Sequence, residues 1–374
     1  MQEYVEKHGI RTSKGMDLTV LECRPEQFGE ATWSQYISLC HRMSLEFDPD
    51  SPPTPGEQLR KRMLDPSKDY DLVRFLAFSS GTGELLGKCV IDYPNSSSPI
   101  FEEGIHTADI EIEVDQRHRR MGVGTALLRV AAEKLVPLGR GDVQTIFSLH
   151  SGRDFFKAMG ARVISERSVN RLYMKDVDWG LMKRWTEDSK ALEEGVRLEF
   201  HDSCIPDTDL EEFCRVYTIC GRSVPDYHDG FVAAEQISPH TRRSSEERWK
   251  SLGIRCLTLF SREPSGTISG LTECYYYSKD TPYAAGQDLT GVLVPYRNRG
   301  TGKWLKAEMM MILRRIFPAV QFVETDNSND NEPMMAINNA MGYRRFRDQW
   351  LAKIDLGDLP TGPAGNRSAG KQEH

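Results

Sequence analysis

No stretch of the 374 residues approaches the roughly 18 consecutive apolar positions of a membrane-crossing helix, so no helical span and no membrane partner are expected. The start, "MQEYVEKHGI", is charged throughout and has no apolar signal core, which points to a cytoplasmic chain. Eight cysteines are scattered without one Cys-x-x-Cys pair. Reduced, partly buried thiols fit that pattern better than disulfides, and no metal is expected. A basic excess is missing too: 48 Lys and Arg stand against 55 Asp and Glu, a formal charge of −7. That balance speaks against a nucleic-acid partner and mildly favours a cationic one.

What remains is an ordinary globular composition, 39% hydrophobic and 28% charged, on a length generous for one core and comfortable for two. The order of elements repeats. In the first half "MDLTVLECRPEQFGEATWSQYISLCHRM" reads as strand then helix, and "VRFLAFSSGTGELLGKCVIDYP" as a hairpin. The strictly alternating "ADIEIEV" precedes a glycine loop, an amphipathic helix, the strand "QTIFSL" and the short helix "GRDFFKAMG". In the second half "GVRLEF", "DTDLEEFCRVYTIC", "IRCLTLFSREPSGTISGLTECYYY" and "QDLTGVLV" follow the same plan. A second glycine loop, "KWLKAEMMMILRRIF", "AVQFVET" and "PMMAINNAMG" complete it. The expected division is an N-terminal extension 1–16, a domain 17–176, a helical linker 177–194, a domain 195–356 and a disordered tail 357–374.

The two loops are "RHRRMGVG" at 117–124 and "RNRGTG" at 297–302, both Arg-x-x-Gly-x-Gly. Backbone amides converging at a helix start, with the helix dipole behind them, make an anion site. Glycine lets that backbone close on a phosphate, and arginine adds charge-assisted hydrogen bonds. Taken alone, the pattern also describes an ordinary strand-to-helix turn. Neither loop has the glycine order of a Rossmann site, and "GTGKW" lacks the hydroxyl that a Walker loop puts after its lysine.

The strand, Arg-x-x-Gly-x-Gly loop and helix together resemble the coenzyme-binding motif of the GNAT acyltransferases. "TGVLVPYRNRGTGKWLKAEMM" with "ETDNSNDNEPMMAINNAMGY" is similar to tandem-GNAT proteins of the mycothiol synthase kind; residues 17–175 match more loosely. The resemblance implies an α/β fold of two GNAT-like domains, each a mixed, mostly antiparallel sheet flanked by helices with a splayed strand pair. It implies acetyl-CoA as co-substrate and a small-molecule amine as acceptor, on a monomer or homodimer. It places coenzyme contacts at Val114, Arg119, Arg120, Gly122, Val123, Gly124 and Thr125 in the first half. In the second they fall at Val292, Val294, Arg297, Arg299, Gly300, Thr301, Gly302, Lys303 and Asn331. Val114 and Val292, with neighbours, would bond the pantetheine through their backbone.

Amine acylation needs a neutral nitrogen. An amine of pKa about 10.4 is neutral only about one part in 10³ at pH 7, an entry cost of roughly 4–5 kcal/mol that a carboxylate base offsets. Asp288 and Glu324, both on strands beside the expected gap, are the candidate bases. Many GNAT enzymes put a tyrosine four residues before the last-helix glycine as the acid; here those slots hold Phe156 and Asn338. Phe156 cannot donate, whereas Asn338 can bond a sulfur without protonating it. The second half is therefore the expected active one. The rival is a non-catalytic acyl-CoA-binding or protein-interaction module with degenerate domains. Asp109, Glu111 and Glu113 share one strand face and form either a solvated row or the wall of an amine pocket.

Overall fold

In the computed structural model, which describes residues 4–224 and 237–359, the alternation of "ADIEIEV" yields β5 (Thr107–Val114) with Ile110 in the core and Glu111 outside. Before it come β1 (Tyr4–Arg11), β2 (Asp17–Cys23), β3 (Tyr70–Ser79) and β4 (Leu85–Pro94). After it come β6 (Asp142–Phe147) and β7 (Arg162–Tyr173). The second half supplies β8 (Arg197–Asp202), β9 (Ile254–Arg262), β10 (Ile268–Tyr277), β11 (Ala284–Val292), β12 (Phe322–Ser328) and β13 (Arg344–Asp355).

Among the described residues these strands form one sheet in the order β1-β2-β3-β4-β5-β6-β13-β7-β12-β11-β10-β9-β8. The sheet is antiparallel except at β5/β6 and β11/β12. Each parallel pair is short, Thr107–Asp109 against Asp142–Gln144 and Ala284–Gly286 against Phe322–Glu324. Beyond these residues the ladders stop and the strands part, which makes two V-shaped gaps.

The linear halves are not the structural halves. β7, the last strand of the first half, lies between β12 and β13, while β13 lies beside β6. Each half lends its final strand to the other, so the expected cuts at 176 and 195 divide the repeat but not the sheet. β7 gave no strand signal because its centre is buried on both faces by polar side chains: Ser168, Asn170 and Arg171 are all covered. The extension 1–16 is also corrected. Tyr4–Arg11 is an edge strand paired with Asp17–Cys23. Of the tail, Leu356–Asp358 is a short helical turn, and its remainder from 360 lies outside the described residues.

Helices cover both faces. In the first half α1 (Glu30–Phe47), α2 (Gly56–Leu64), α3 (Val123–Leu135) and α4 (His150–Ala158) appear in the expected order. The expected single linker helix is two, α5 (Trp179–Glu187) and α6 (Lys190–Glu193). The second half has α7 (Asp207–Gly221), α8 (Pro239–Leu252), α9 (Thr301–Ile316) and α10 (Glu332–Met341). Apolar spacing explains the packing. Val123, Ala126, Leu127, Val130 and Ala131 turn one stripe of α3 onto the first sheet half, and Leu305, Met309, Ile312 and Leu313 do the same for α9. Trp179 packs under Arg314 of α9, at 4.3 Å from guanidinium to ring, which ties the linker to the second half.

Candidate acyl-transfer site

The two glycine loops have one backbone. Arg120 and Asn298, at matching positions, have φ of 63° and 64°; Gly122 and Gly300, which cap α3 and α9, have φ of 90° and 82°. Those left-handed caps are the reason glycine stands there. In each loop the first arginine folds back onto the carbonyl that ends the strand: Arg119 Nε donates to Val114 at 3.0 Å, and Arg297 Nε to Val292 at 2.8 Å. No side chain caps either helix, so the first-turn amides of α3 and α9 remain available to a ligand.

Past the loops the halves differ. Arg119 closes a bidentate pair with Glu46 of α1, 2.6 Å on both nitrogens, and its charge is spent inside the fold. Arg297 is exposed and has no acidic partner among the described residues. At the end of β6, Phe147 stacks on Phe156 of α4, with centroids 5.3 Å apart, and Trp350 stacks on the other side at 6.0 Å. At the matching place in the second half Asn338 Nδ2 donates to Asn327 Oδ1 at 2.7 Å. Asn338 is buried and its own Oδ1 has no partner. One gap is closed by rings; the other is lined by amides.

On the sheet face away from α9, the second gap opens into a cavity of about 570 Å³. Tyr275 and Tyr277 line it, while Tyr276 between them stacks on Phe317 in the core, as alternation requires. Glu324 and Asp326 contribute from β12, and Asp288 from β11. Asp288 sits at a β-bulge. Thr272 pairs Thr290 but Cys274 pairs Gln287, so β11 carries one residue more than β10 over this stretch. Such a bulge bends a strand and re-aims its side chains. β4 and β5 run in unbroken register, and the first half has no counterpart there.

The cavity carboxylates, Asp48, Asp288, Glu324 and Asp326, are not equivalent. Glu324 accepts from Arg171 Nε at 2.7 Å and from Arg347 at 3.3 Å, and Arg171 also holds Asp48. Asp326 is bonded by Arg167. Asp288 accepts from the Tyr217 hydroxyl at 3.3 Å and from the Leu289 backbone, and has no cationic partner among the described residues. Solvent in the cavity reaches the Asp288 carboxyl, yet protein surrounds it closely. Desolvation first, then repulsion from Glu273 and Asp326, pushes its pKa up to about 7. A carboxyl that titrates near neutrality and faces open space is placed to take a proton.

Several expected contacts find other partners. Arg299 is turned inward onto Glu263 at 2.5 Å and Glu194 at 2.8 Å, so its charge is paired within the fold. The Val114 and Val292 carbonyls each accept from the loop arginine, which leaves the backbone NH groups of these strands to be considered for the pantetheine. Val294 is exposed on the turn after the strand, and Lys303 stands 5.4 Å over the Trp185 ring. Val123 is core, and Thr301 is buried with its hydroxyl unpartnered. Gly124 and Gly302 each face α4 or α10; a Cβ would lie 3.3 Å from Phe155 in the first case and 3.7 Å from Ile337 in the second. Asn331 caps α10 by accepting from Met334 N at 3.4 Å. In the acidic row of the first half, Glu111 and Glu113 both bind the buried Lys88 at 2.9 Å. Their charge is shared with that ammonium.

Sequence reading missed the other side of the cavity. Asp48, Ser51 and Thr54 come from the first half, in the stretch after α1, and Arg171 and Arg347 come from the exchanged strands. No local signal marks them, since their meeting depends on strand exchange. Asp326 had a signal, its alternation with Glu324 along "ETD".

Residues 37–160 match the sequence model described as the acetyltransferase (GNAT) family. The match lies in the first half, the one whose motif resemblance is looser. No curated protein sequence matches the chain. Among solved structures, a tandem GNAT protein from the clavulanic acid biosynthesis pathway, solved without AcCoA, superposes with TM-score 0.72 at 21% identity. The match covers 92% of this chain and 100% of that one. A GCN5-related N-acetyltransferase from Sphaerobacter thermophilus gives 0.59 at 16%, over 92% and 96% of the two chains. Saccharomyces cerevisiae N-myristoyltransferase with bound myristoyl-CoA gives 0.51 at 9%, over 95% and 86%. At these identities the likeness concerns the fold.

Proposed function

We propose that the chain is a tandem GNAT protein and an N-acyltransferase that moves an acetyl group from acetyl-CoA to a primary amine of a small molecule, in its second half. The first-turn amides of α9 beside Gly300 and Gly302, with the free charge of Arg297, suit a diphosphate. The unpartnered Asn338 Oδ1 suits an amide NH of the pantetheine arm, and the thioester supplies the electrophilic carbon.

An amine entering the cavity as its cation meets Asp288. With a pKa of about 7, that carboxyl is substantially ionised at neutral pH and takes the proton directly or through water. The freed lone pair attacks the thioester carbon, the C–S bond breaks, and the thiolate leaves without a covalent enzyme intermediate. A thiol of pKa near 8.5 needs little help to leave at neutral pH, so the missing tyrosine costs only about 2 kcal/mol. Glu324, held by two arginines, serves as a wall.

The observation that carries this reading is Asp288, turned by a bulge into a cavity with no cation paired to it among the described residues. The test is thiol release from acetyl-CoA across a panel of small amines. Wild type is expected to turn over at least one, and Asp288→Asn to lose about 10²–10⁴ in kcat/KM. Tight coenzyme binding with no release on any amine would favour the binding-module alternative.

A further inference from the structure

Where α2 of the first half meets α8 of the second, a smaller cavity of about 240 Å³ has three arginines in its wall: Arg62 from α2, Arg74 from β3 and Arg248 from α8. Carboxylates at this junction answer their charge only in part: Asp280 pairs with Arg62, and Asp65 acts on Arg248. Arg62 gives one nitrogen to Asp280 at 2.6 Å. Arg248 gives its Nε to the main-chain oxygen of Asp65 at 2.6 Å, a neutral acceptor. Arg74 makes no hydrogen bond or ion pair among the described residues.

Two of the three charges are also costly where they stand. Burial lowers the pKa of Arg74 and of Arg248, and the Arg62 guanidinium lowers Arg248 further. Arginine does not escape this cost by losing its proton, because its pKa starts too high. One carboxylate, Asp92, shares the wall and answers Arg74 in part. Burial first, then Glu111, pushes it up to about 6. The Tyr70 and Ser67 side chains also line the cavity and can add hydroxyl donors.

Three part-buried guanidinium groups on separate elements, facing one space, match the oxygens of a tetrahedral anion, which planar N–H forks bind in pairs. We propose that this junction cavity binds a small oxyanion, a free phosphate or the phosphate of a monoester, clasped by both halves of the chain. The ligand would bridge α2 and α8. Arg62 also lies 5.6 Å from the ring of Tyr277, which lines the larger cavity, so an anion held here neighbours the amine site. The proposal does not depend on acyl transfer.

Calorimetric titration of the full chain with inorganic phosphate, and separately with phosphoethanolamine, tests it. Binding of either is expected, and the tighter of the two names the source of the phosphate. Arg74→Gln and Arg248→Gln should each weaken binding about tenfold or more. Loss of binding in Arg297→Gln in place of the Arg248 variants would assign the anion to the second glycine loop and overturn the proposal. Arg248→Lys keeps the charge but loses the fork and should fall between. Should Arg74→Gln fail to fold, the two Arg248 variants decide alone. Absence of binding by wild type, or equal affinity in the Arg248 variants, overturns the proposal.

Discussion

At the end of β6 the first half holds Phe147, and at the matching place on β12 the second holds Asn327. Across the gap, Phe156 answers the one and Asn338 the other. Trp350 closes the aromatic stack from β13; on β7, Ser168 pairs with Asn327 in its place. The loop backbones above are superimposable in their dihedral angles, down to the left-handed Arg120 and Asn298. One loop backbone thus occurs twice, while the side chains beneath it differ. A stack of rings fills space and gains packing. A pair of buried amides leaves an acceptor unsatisfied, a cost of about 1–3 kcal/mol that persists where a ligand makes use of it.

That contrast can be broken first at the loops. Gly302→Glu places a carboxylate among the amides meant for the diphosphate, and a Cβ there meets Ile337 only at 3.7 Å, so the fold should tolerate it. Acetyl-CoA turnover is expected to vanish. Gly124→Glu in the first loop should leave turnover within about threefold of wild type, a change worth less than about 0.7 kcal/mol. Steady-state thiol release on both variants checks the pair, and loss of activity in the second alone would transfer the site to the first half.

The gaps themselves come next. Phe156, 3% exposed in the ring stack, is a packing residue, and Phe156→Ala should cost about 3–5 kcal/mol of stability in chemical denaturation with little change in kcat of the folded fraction. Asn338→Ala should cost less stability, about 1–3 kcal/mol, and raise the KM for acetyl-CoA. If Phe156→Ala instead raises that KM and Asn338→Ala does not, the two gaps have been read the wrong way round.

The smallest effect concerns Lys306, buried in the second core under the Tyr343 ring at 5.4 Å, its pKa pushed down to about 7 by burial. The unfolded chain holds that proton up to about pH 10.4, the folded one only to about 7. Stability therefore rises with pH across that window, because the unfolded state binds more protons there. Lys306→Met should flatten this rise and lift the melting temperature at pH 7 by a few degrees. A steeper pH dependence in the variant would show that the ammonium has a partner.

Much of this was legible beforehand. Both loops could be read because glycine at a left-handed helix cap is a local requirement, visible in six residues. Asp288 and Glu324 could be named because carboxylates on a strand beside a glycine loop stand out against apolar neighbours. What separated them could not be read. Glu324 is neutralised by Arg171 and Arg347, which arrive on β7 and β13 through the exchange of final strands. The bulge at Asp288 depends on the register with β10, not on any residue in β11 alone. The inward turn of Arg299 was hidden likewise, since Glu263 and Glu194 lie far from it in sequence.

The most direct test compares two raised carboxyls. Asp288 is pushed up to about 7 in the second half; Asp109, at the branch of the first strand pair, is pushed up to about 8 by burial and then by Asp92. A base must be unprotonated, so kcat/KM should fall tenfold per pH unit below its pKa. The pH profile of wild type should bend near 7. That bend should persist in Asp109→Asn and disappear, with most of the activity, in Asp288→Asn. A profile that loses its bend in Asp109→Asn and keeps it in Asp288→Asn would put the chemistry in the other half.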